Sequence, residues 1–206
     1  GFSSFGKHHK YLLDDNLNLD IPELKIALEQ NENNPLLIFG FTYLVWQQFY
    51  QCIQDSKIDI NFPKDTVLIH GGGWKRLHDS RVDNLRFKKS LNELGILKIY
   101  DYYGMIEQTG SIFVECEKGY LHCSDYSDII ARNEFTLDAL NFNEQGILQV
   151  LSLLPSSYPG NSILTEDIGT IIGEDDCKCG KKGKYFLVSG RMKQSEIRGC
   201  SDTRTV

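Results

Sequence analysis

Short apolar runs alternate with helical patterns through the first half of the chain, and the runs end at glycine. One run, residues 36–39, stops at Gly40, and another, residues 66–70, stops at three consecutive glycines. Apolar residues at helical spacing follow the first run, between residues 44 and 53. Alternation of strands with helices favours a parallel sheet that is covered by helices. We therefore predict an α/β arrangement for residues 1–110.

The second half of the chain has a different pattern, in which short apolar runs are separated by turn residues. The runs occupy residues 112–115, 147–153, 168–172 and 184–188. Runs of this length without helical patterns between them are typical of antiparallel strands. We therefore expect a mostly antiparallel β subdomain over residues 111–190.

The composition of the 206-residue chain excludes several classes of protein. Its 22 basic and 28 acidic residues give a formal net charge of −6, which argues against nucleic acid or an anionic membrane as the main partner. No stretch approaches the roughly 18 apolar residues of a membrane span. Residues 1–6 show no charged region followed by an apolar run, so we expect no secretory signal and a cytoplasmic protein. Six cysteines are too few for a disulfide scaffold.

Two loops directly follow predicted strands, at the place where an open parallel sheet binds its ligands. The first contains Gly71, Gly72 and Gly73, and glycine lets a backbone pass close to a ligand because it has no Cβ. The alternative is a tight turn between a strand and a helix, since the spacing of a phosphate loop is absent.

The second loop, residues 101–110, directly follows a predicted strand at residues 96–100 and combines tyrosine rings with a carboxylate and glycines. A tyrosine ring offers a flat face to a purine, and Glu107 offers an oxygen ligand to a divalent cation. These groups favour a loop that holds a nucleotide together with its metal ion. An aromatic sheet edge is the alternative.

Three short motifs follow one another along the chain: Tyr-Gly-Met-Ile-Glu at 103–107, Glu-Asp-Ile-Gly at 166–169 and Gly-Arg-Met-Lys at 190–193. They resemble, in the same order, the YGMTE core, the TGDxG aspartate segment and the GRxKD hinge of the adenylate-forming superfamily, which includes acyl-CoA ligases, luciferases and nonribosomal adenylation domains. With residues 72–75 and 196–200, they are more similar still to the LuxE-type acyl-protein synthetases, near to phenylacetate-CoA ligase. The resemblance implies an adenylate-forming fold over most of the chain.

The resemblance also implies an ATP-dependent acid–thiol ligase. In such an enzyme a carboxylic acid, here expected to be a fatty acid, attacks the α-phosphate of ATP and gives an acyl-adenylate and pyrophosphate. The acyl group then passes to a thiol. The expected cofactors are ATP and Mg²⁺, and the expected protein partner is an acyl donor or acceptor, either a reductase or an acyl carrier. A ligase that acylates coenzyme A or a carrier protein, and a non-catalytic zinc-stabilised binding module, are the alternatives.

The family's functional residues carry over to matching positions of this sequence. By resemblance, Tyr103 would stack on adenine, Glu107 would bind magnesium, and Asp167 would accept hydrogen bonds from the ribose hydroxyls. Arg191 would contact the ribose or a phosphate. The other expected nucleotide-binding positions are Tyr102, Gly104, Gly71, Gly72 and Gly73, with His70 at the entrance of the adenine and acyl pocket. A strand-end histidine with satisfied hydrogen bonds is the alternative for His70.

The resemblance assigns residues 191–206 to a hinge-like segment and a short tail. LuxE-type synthetases carry their acyl group as a thioester on a cysteine near the C terminus, and Cys200 is in the matching place. A thiolate is a good nucleophile, and Lys193 and Arg198 would lower the pKa of Cys200. An incidental cysteine in the tail is the alternative.

Three departures from the superfamily pattern bear on these expectations. Ile106 replaces the usual threonine, whose hydroxyl contacts a phosphate. No segment matches the family's phosphate loop, and the mobile domain that follows the hinge is absent. We therefore expect a carboxyl-terminal fragment that is inactive by itself.

A cysteine and histidine pattern in the second half predicts a metal site. Cys177 and Cys179 form a short knuckle with the glycine that follows, and Cys116 and His122 complete a four-ligand set from a β-hairpin. Phenylacetate-CoA-ligase-like proteins show a similar pattern. A closed set of four ligands is typical of structural zinc, because no position remains for a substrate. Reduced cysteines packed in the core, and Cys123 as a ligand in place of His122, are the alternatives.

Overall fold

The computed structural model describes residues 6–74 and 82–192. The chain divides into two compact units, Gly1–Tyr100 and Asp101–Val206. Each unit has a hydrophobic core of its own. Within the described ranges, no helix combines the length and the hydropathy that crossing a membrane requires.

A parallel pair of strands lies in the first unit. The strands are β1 (Leu37–Phe41) and β2 (Val67–Gly71). Two short helices, α2 (Thr42–Leu44) and α3 (Cys52–Ser56), are joined by the π-helical segment Val45–Gln51 and follow β1 directly. This order of strand, helix and parallel strand confirms the α/β arrangement that the glycine-terminated apolar runs predict.

Aspartate side chains cap the two longer helices of the first unit. Asp20 accepts a backbone hydrogen bond of 2.9 Å at the start of α1 (Ile21–Gln30). Asp83 accepts one of 2.7 Å at the start of α4 (Asn84–Glu93). Such caps satisfy N–H groups that the helix itself leaves without partners. The helices bury apolar side chains in the core of this unit: Leu24, Leu28, Phe87 and Leu91.

The second unit is built on antiparallel strands. They are β3 (Lys98–Tyr103), which continues from the first unit, β4 (Phe113–Glu115), β5 (Leu121–His122), β6 (Ser127–Arg132), β7 (Gln145–Ser152), β8 (Ser162–Glu174) and β9 (Lys184–Arg191). Their order in the sheet is β3-β4-β5-β9-β8-β7-β6. The mostly antiparallel β character expected for the second half of the chain is therefore confirmed. Three further strand segments are not predicted from the sequence, because polar residues interrupt their apolar patterns: β5, β6 and the first part of β8.

The β8–β9 hairpin carries two groups of candidate residues at its two ends. Asp167 pairs with Arg191 at one end, and Glu174 pairs with Lys184 at the other, beside the loop that holds the Cys177–Cys179 knuckle. At about 3.3 Å per residue, the two ends lie about 20 Å apart. The hairpin therefore presents two separate sites.

Candidate functional site

One residue from each of the three motifs meets the others at Asp167, where the pairing of β8 with β9 ends. The Tyr103 hydroxyl donates a hydrogen bond of 2.7 Å to Oδ2 of Asp167. The guanidinium Nε of Arg191, which is opposite Asp167 in the β8–β9 register, lies 3.3 Å from Oδ1. The fold therefore brings a phenol, a carboxylate and a guanidinium together from distant positions in the sequence.

The Tyr103 ring packs against two phenylalanines of the core. The ring centres of Phe113 and Phe186 lie 6.0 and 6.1 Å from that of Tyr103. Burial, together with the Asp167 carboxylate, raises the pKa of Tyr103 above its usual value. The hydroxyl therefore stays protonated at neutral pH and remains the donor to Asp167.

The Asp167 carboxylate keeps acceptor capacity after these two contacts. Its side chain is 19% exposed. A carboxylate has about four lone-pair positions, and Tyr103 and Arg191 each take one. The backbone is fixed by a hydrogen bond of 3.1 Å from the Asp167 N–H to Oγ1 of Thr165. Asp167 can therefore accept two further hydrogen bonds from a ligand that carries neighbouring hydroxyls.

Glu107 lies in a short 3₁₀ turn, Ile106–Gln108, directly after β3 and Gly104. Its side chain is exposed. Ile106, which stands where the superfamily has threonine, is 70% exposed and offers no hydroxyl to a phosphate. Tyr102 pairs with Val114 and, one residue before Tyr103, faces the opposite side of the strand. The turn therefore presents the Glu107 carboxylate to solvent, where its oxygen atoms are accessible to a cation.

The glycine triplet belongs to the first unit, at the end of β2. Gly71 is buried, whereas Gly72 and Gly73 are exposed, and Gly72 has a φ of +76°, which favours glycine. His70 is 3% exposed; its Nδ1 lies 3.0 Å from Oγ1 of Thr42. Burial lowers the pKa of His70 to about 3, so its ring is neutral. These contacts favour the strand-end histidine over a residue at a pocket entrance.

Four potential metal ligands meet at the other end of the β8–β9 hairpin. The sulfur atoms of Cys116, Cys177 and Cys179 and a ring nitrogen of His122 all lie within 4.8 Å of one another. Cys179 Sγ is 3.4 Å from Nε2 of His122. Tetrahedral zinc with bonds of about 2.0 to 2.3 Å places its ligand atoms roughly 3 to 4 Å apart, so the group fits that geometry after a small contraction.

Two matching turns carry three of these ligands. The N–H of Gly119 donates to the Cys116 carbonyl, and the N–H of Gly180 donates to the Cys177 carbonyl, each at 2.9 Å. Both glycines have a φ of +83°, which other residues rarely adopt. Burial lowers the pKa of His122, so the ring is neutral and keeps a lone pair for a metal. Cys123, the alternative ligand, is not part of the group.

The family model of the acyl-protein synthetase LuxE matches residues 5–205. The chain belongs to the LuxE acyl-protein synthetase family. It is 26% identical over 145 residues to the long-chain-fatty-acid–luciferin-component ligase of Vibrio harveyi. The matched region covers 68% of this chain and 37% of that protein. The chain thus spans well under half the length of this curated relative.

Solved structures similar to this LuxE-family chain are adenylate-forming enzymes. A 2-hydroxyisobutyryl-CoA ligase in complex with its acyl-AMP and CoA matches with a TM-score of 0.64 and 17% identity, over 84% of this chain and 39% of the ligase. The O-succinylbenzoate CoA synthetase of Bacillus subtilis, in complex with ATP and magnesium, matches with a TM-score of 0.55 and 15% identity, over 84% of this chain and 34% of the synthetase. These similarities confirm the expected fold.

Sequence reasoning about this LuxE-family chain missed the residues that hold the Glu107 turn. Gln108 is 1% exposed, and its Nε2 donates a hydrogen bond of 2.8 Å to the carbonyl of Gly160. No periodicity marks a buried glutamine in a loop, so only its place next to the motif could have drawn attention to it. Cys200, Lys193 and Arg198 lie outside the described residues.

Proposed function

We propose that this chain is part of an enzyme that activates a carboxylic acid, of the fatty acid class, with ATP. The product is an acyl-adenylate, whose acyl group passes to a cysteine thiol. The observation that carries the proposal is the convergence of Tyr103, Asp167 and Arg191, one residue from each of three superfamily motifs. Family membership and the adenylate-forming neighbours support it.

The proposed roles follow from the chemistry of this group. The two remaining acceptor positions of Asp167 match the two neighbouring hydroxyls of a ribose. Arg191 supplies positive charge beside them, where a ribose or phosphate oxygen would lie. The Tyr103 ring offers a face to adenine while its hydroxyl orients Asp167. Tyr102 and Gly104 remain proposed parts of the nucleotide site, and nucleotide binding by the Gly71–Gly73 loop of the first unit remains a separate prediction.

Glu107 is the proposed ligand of Mg²⁺. Its exposed carboxylate lies just after β3, in the motif that also supplies Tyr103. Magnesium bound to ATP prefers one or two protein carboxylates together with phosphate oxygens and water, and a single exposed glutamate fits that preference. A relative with this fold binds ATP and magnesium, which supports the same pair of cofactors here.

The four-ligand group is the proposed zinc site. Three thiols and one imidazole suit zinc, and a closed set of four indicates a structural role, since no position is left for a substrate. When bound, zinc would supply stability to the β4–β5 and β8–β9 hairpins. Cys116, His122, Cys177 and Cys179 would hold it.

Cys200, in the hinge-like tail of residues 191–206, is the proposed acyl acceptor. A thioester on this residue would make the protein an acyl-protein synthetase that exchanges its acyl group with a partner protein, a reductase or an acyl carrier. The second candidate is a ligase that acylates coenzyme A, which the 2-hydroxyisobutyryl-CoA ligase fold favours. Cys200→Ser separates the two, because only an internal acceptor would lose its covalent label from radioactive fatty acid.

The experiment that tests the proposed activation uses the full-length protein. Labelled pyrophosphate should exchange into ATP when a fatty acid is present and should not exchange without it, since exchange requires reversible formation of an acyl-adenylate. Cys200→Ser should leave this exchange intact. A protein without carboxylate-dependent exchange would contradict the proposal and favour a zinc-stabilised binding module.

A further inference from the structure

The turn that carries Glu107 exposes two side chains and buries the third. Ile106 is 70% exposed and Glu107 is exposed, whereas Gln108 is 1% exposed. Successive side chains of a 3₁₀ helix point about a third of a turn apart. The way in which Gln108 is anchored therefore fixes the direction in which Glu107 projects.

Gln108 is anchored by its side-chain amide. Its Nε2 donates to the carbonyl of Gly160 at 2.8 Å and to the carbonyl of Val150, in β7, at 3.3 Å. Both acceptors lie more than 40 residues further along the chain, so the amide ties the turn to a distant loop and strand. These are the only side-chain hydrogen bonds of Gln108 within the described part of the chain.

The other end of the same amide is buried without a partner. Oε1 of Gln108 accepts no hydrogen bond from the described residues. An unpartnered buried oxygen costs free energy, which offsets part of what the two N–H contacts contribute. What the buried side chain supplies is therefore its two N–H contacts, which hold the turn against Gly160 and Val150.

A second contact from the same loop holds the next residue. The backbone N–H of Thr109 donates a hydrogen bond of 3.0 Å to the hydroxyl of Tyr158, which lies two residues before Gly160 in the sequence. Thr109 in turn donates from Oγ1 to the Ile106 carbonyl at 3.0 Å, which closes the turn. The loop of residues 158–160 therefore holds the turn at two consecutive positions.

We propose that Gln108 is a positioning residue that fixes the Glu107 carboxylate for magnesium, and that the 158–160 loop is its support. This inference rests on the proposed function, because it assumes that Glu107 binds the metal of Mg·ATP. Gln108 itself touches neither metal nor nucleotide. It acts through the backbone of the turn, and its loss should therefore weaken magnesium use more than nucleotide binding at Asp167.

The test is Gln108→Met in the full-length protein, with acyl-adenylate formation followed across a magnesium titration. The variant keeps the approximate volume of the side chain at position 108. It removes the two N–H donors and also the unpartnered oxygen. Its thermal midpoint should fall by no more than a few degrees, because two buried carbonyls lose a donor while the unpartnered oxygen is removed. The magnesium concentration for half-maximal rate should rise about tenfold, because a displaced Glu107 carboxylate binds the cation more weakly and a loss of about 1.4 kcal/mol is tenfold. Binding of AMP without magnesium should stay unchanged.

The matched control is Ser111→Ala, which removes a buried hydrogen bond of 2.6 Å to Ser152 three residues after the turn. Its magnesium dependence should equal that of the wild type. Tyr158→Phe removes the second contact at a more exposed position, and it should shift the magnesium dependence in the same direction, by about threefold. If Gln108→Met does not fold, the change in magnesium dependence of Tyr158→Phe tests the proposal in its place.

The possible outcomes separate the two proposals. In the first outcome, the wild type forms acyl-adenylate and both Gln108→Met and Tyr158→Phe have the magnesium dependence of the wild type. This result overturns the positioning role and leaves the proposed function standing. A control variant shifted as far as Gln108→Met also overturns it, because the effect would then be general loosening. A wild type that forms no acyl-adenylate overturns the proposed function and this inference with it.

Discussion

The hydroxyl of Tyr103 lies 2.7 Å from Oδ2 of Asp167, across 64 residues of sequence. This contact joins the tyrosine motif to the aspartate motif, and the Arg191 guanidinium joins the third motif to the same carboxylate. One carboxylate is therefore shared by all three motifs. Its orientation depends on both neighbours, so each neighbour should contribute to nucleotide binding even where it does not touch the nucleotide.

Tyr103→Phe should weaken AMP binding to the full-length protein about tenfold, because a hydrogen bond to a charged group contributes about 1.5 kcal/mol. The ring that would stack on adenine remains, so the loss should come from the orientation of Asp167 alone. Isothermal titration with AMP measures the effect. Tyr126→Phe, at a tyrosine of the same unit that is 58% exposed, is the matched control and should bind as the wild type does. Equal affinity of Tyr103→Phe and wild type would show that the hydroxyl has no such role.

The purified protein should contain about one zinc ion per chain, because four suitable ligands already lie together. Cys177→Ala should lose the metal and lower the thermal midpoint by about 10 °C, since a ligand bound only by the folded state stabilises it. Metal analysis by mass spectrometry and a thermal scan measure both effects. Cys123→Ala is the control, because Cys123 lies next to His122 in sequence but outside the group. Zinc lost equally from both variants, or absent from the wild type, would contradict a site at these residues.

The stability of the first unit should fall as the pH drops below 6.5, because of His70. Burial lowers the pKa of His70 from 6.5 to about 3 in the folded chain. The unfolded chain therefore takes up a proton between these values while the folded chain does not, so the stabilisation is complete above pH 6.5 and is lost toward pH 3. The free energy of unfolding should decrease by about 1.4 kcal/mol per pH unit from this residue. Denaturant titrations at pH 6.5 and at pH 5 measure it.

His70→Asn provides the comparison for this pH dependence. Asparagine does not titrate, so the variant should lack the proton uptake while other groups contribute equally to both proteins. The difference in unfolding free energy between wild type and variant should therefore shrink as the pH falls. A constant difference would mean that His70 is not buried as a neutral ring.

The sequence predicts the local chemistry of this chain well and its long-range contacts poorly. The end of β2 at Gly71 depends on residues within a few positions, and the structure has it, whereas β1 continues through Gly40 to Phe41. The contact of Tyr103 with Asp167 depends on the order of strands in the sheet, which no local pattern specifies. Only the family resemblance suggested that these residues act together.

Buried polar residues were the hardest feature to anticipate. Gln108 is polar, lies in a loop and belongs to no periodic pattern, and all three properties predict exposure. Its burial follows from acceptors supplied by Val150 and Gly160, which tertiary packing brings to it. The burial of His70 against Phe87, with ring centres 4.5 Å apart, has the same origin.

The most direct measurement of the central claim compares acyl-adenylate formation by the full-length wild type and Asp167→Asn. Asparagine has nearly the same shape, but it lacks the charge and part of the acceptor capacity of the carboxylate. With ATP, magnesium and a fatty acid, the wild type should give acyl-AMP detectable by mass spectrometry. The variant should show about a hundredfold lower kcat/KM, since two hydrogen bonds of about 1.5 kcal/mol each are lost. No acyl-AMP from the wild type, or equal rates for both proteins, would contradict the account.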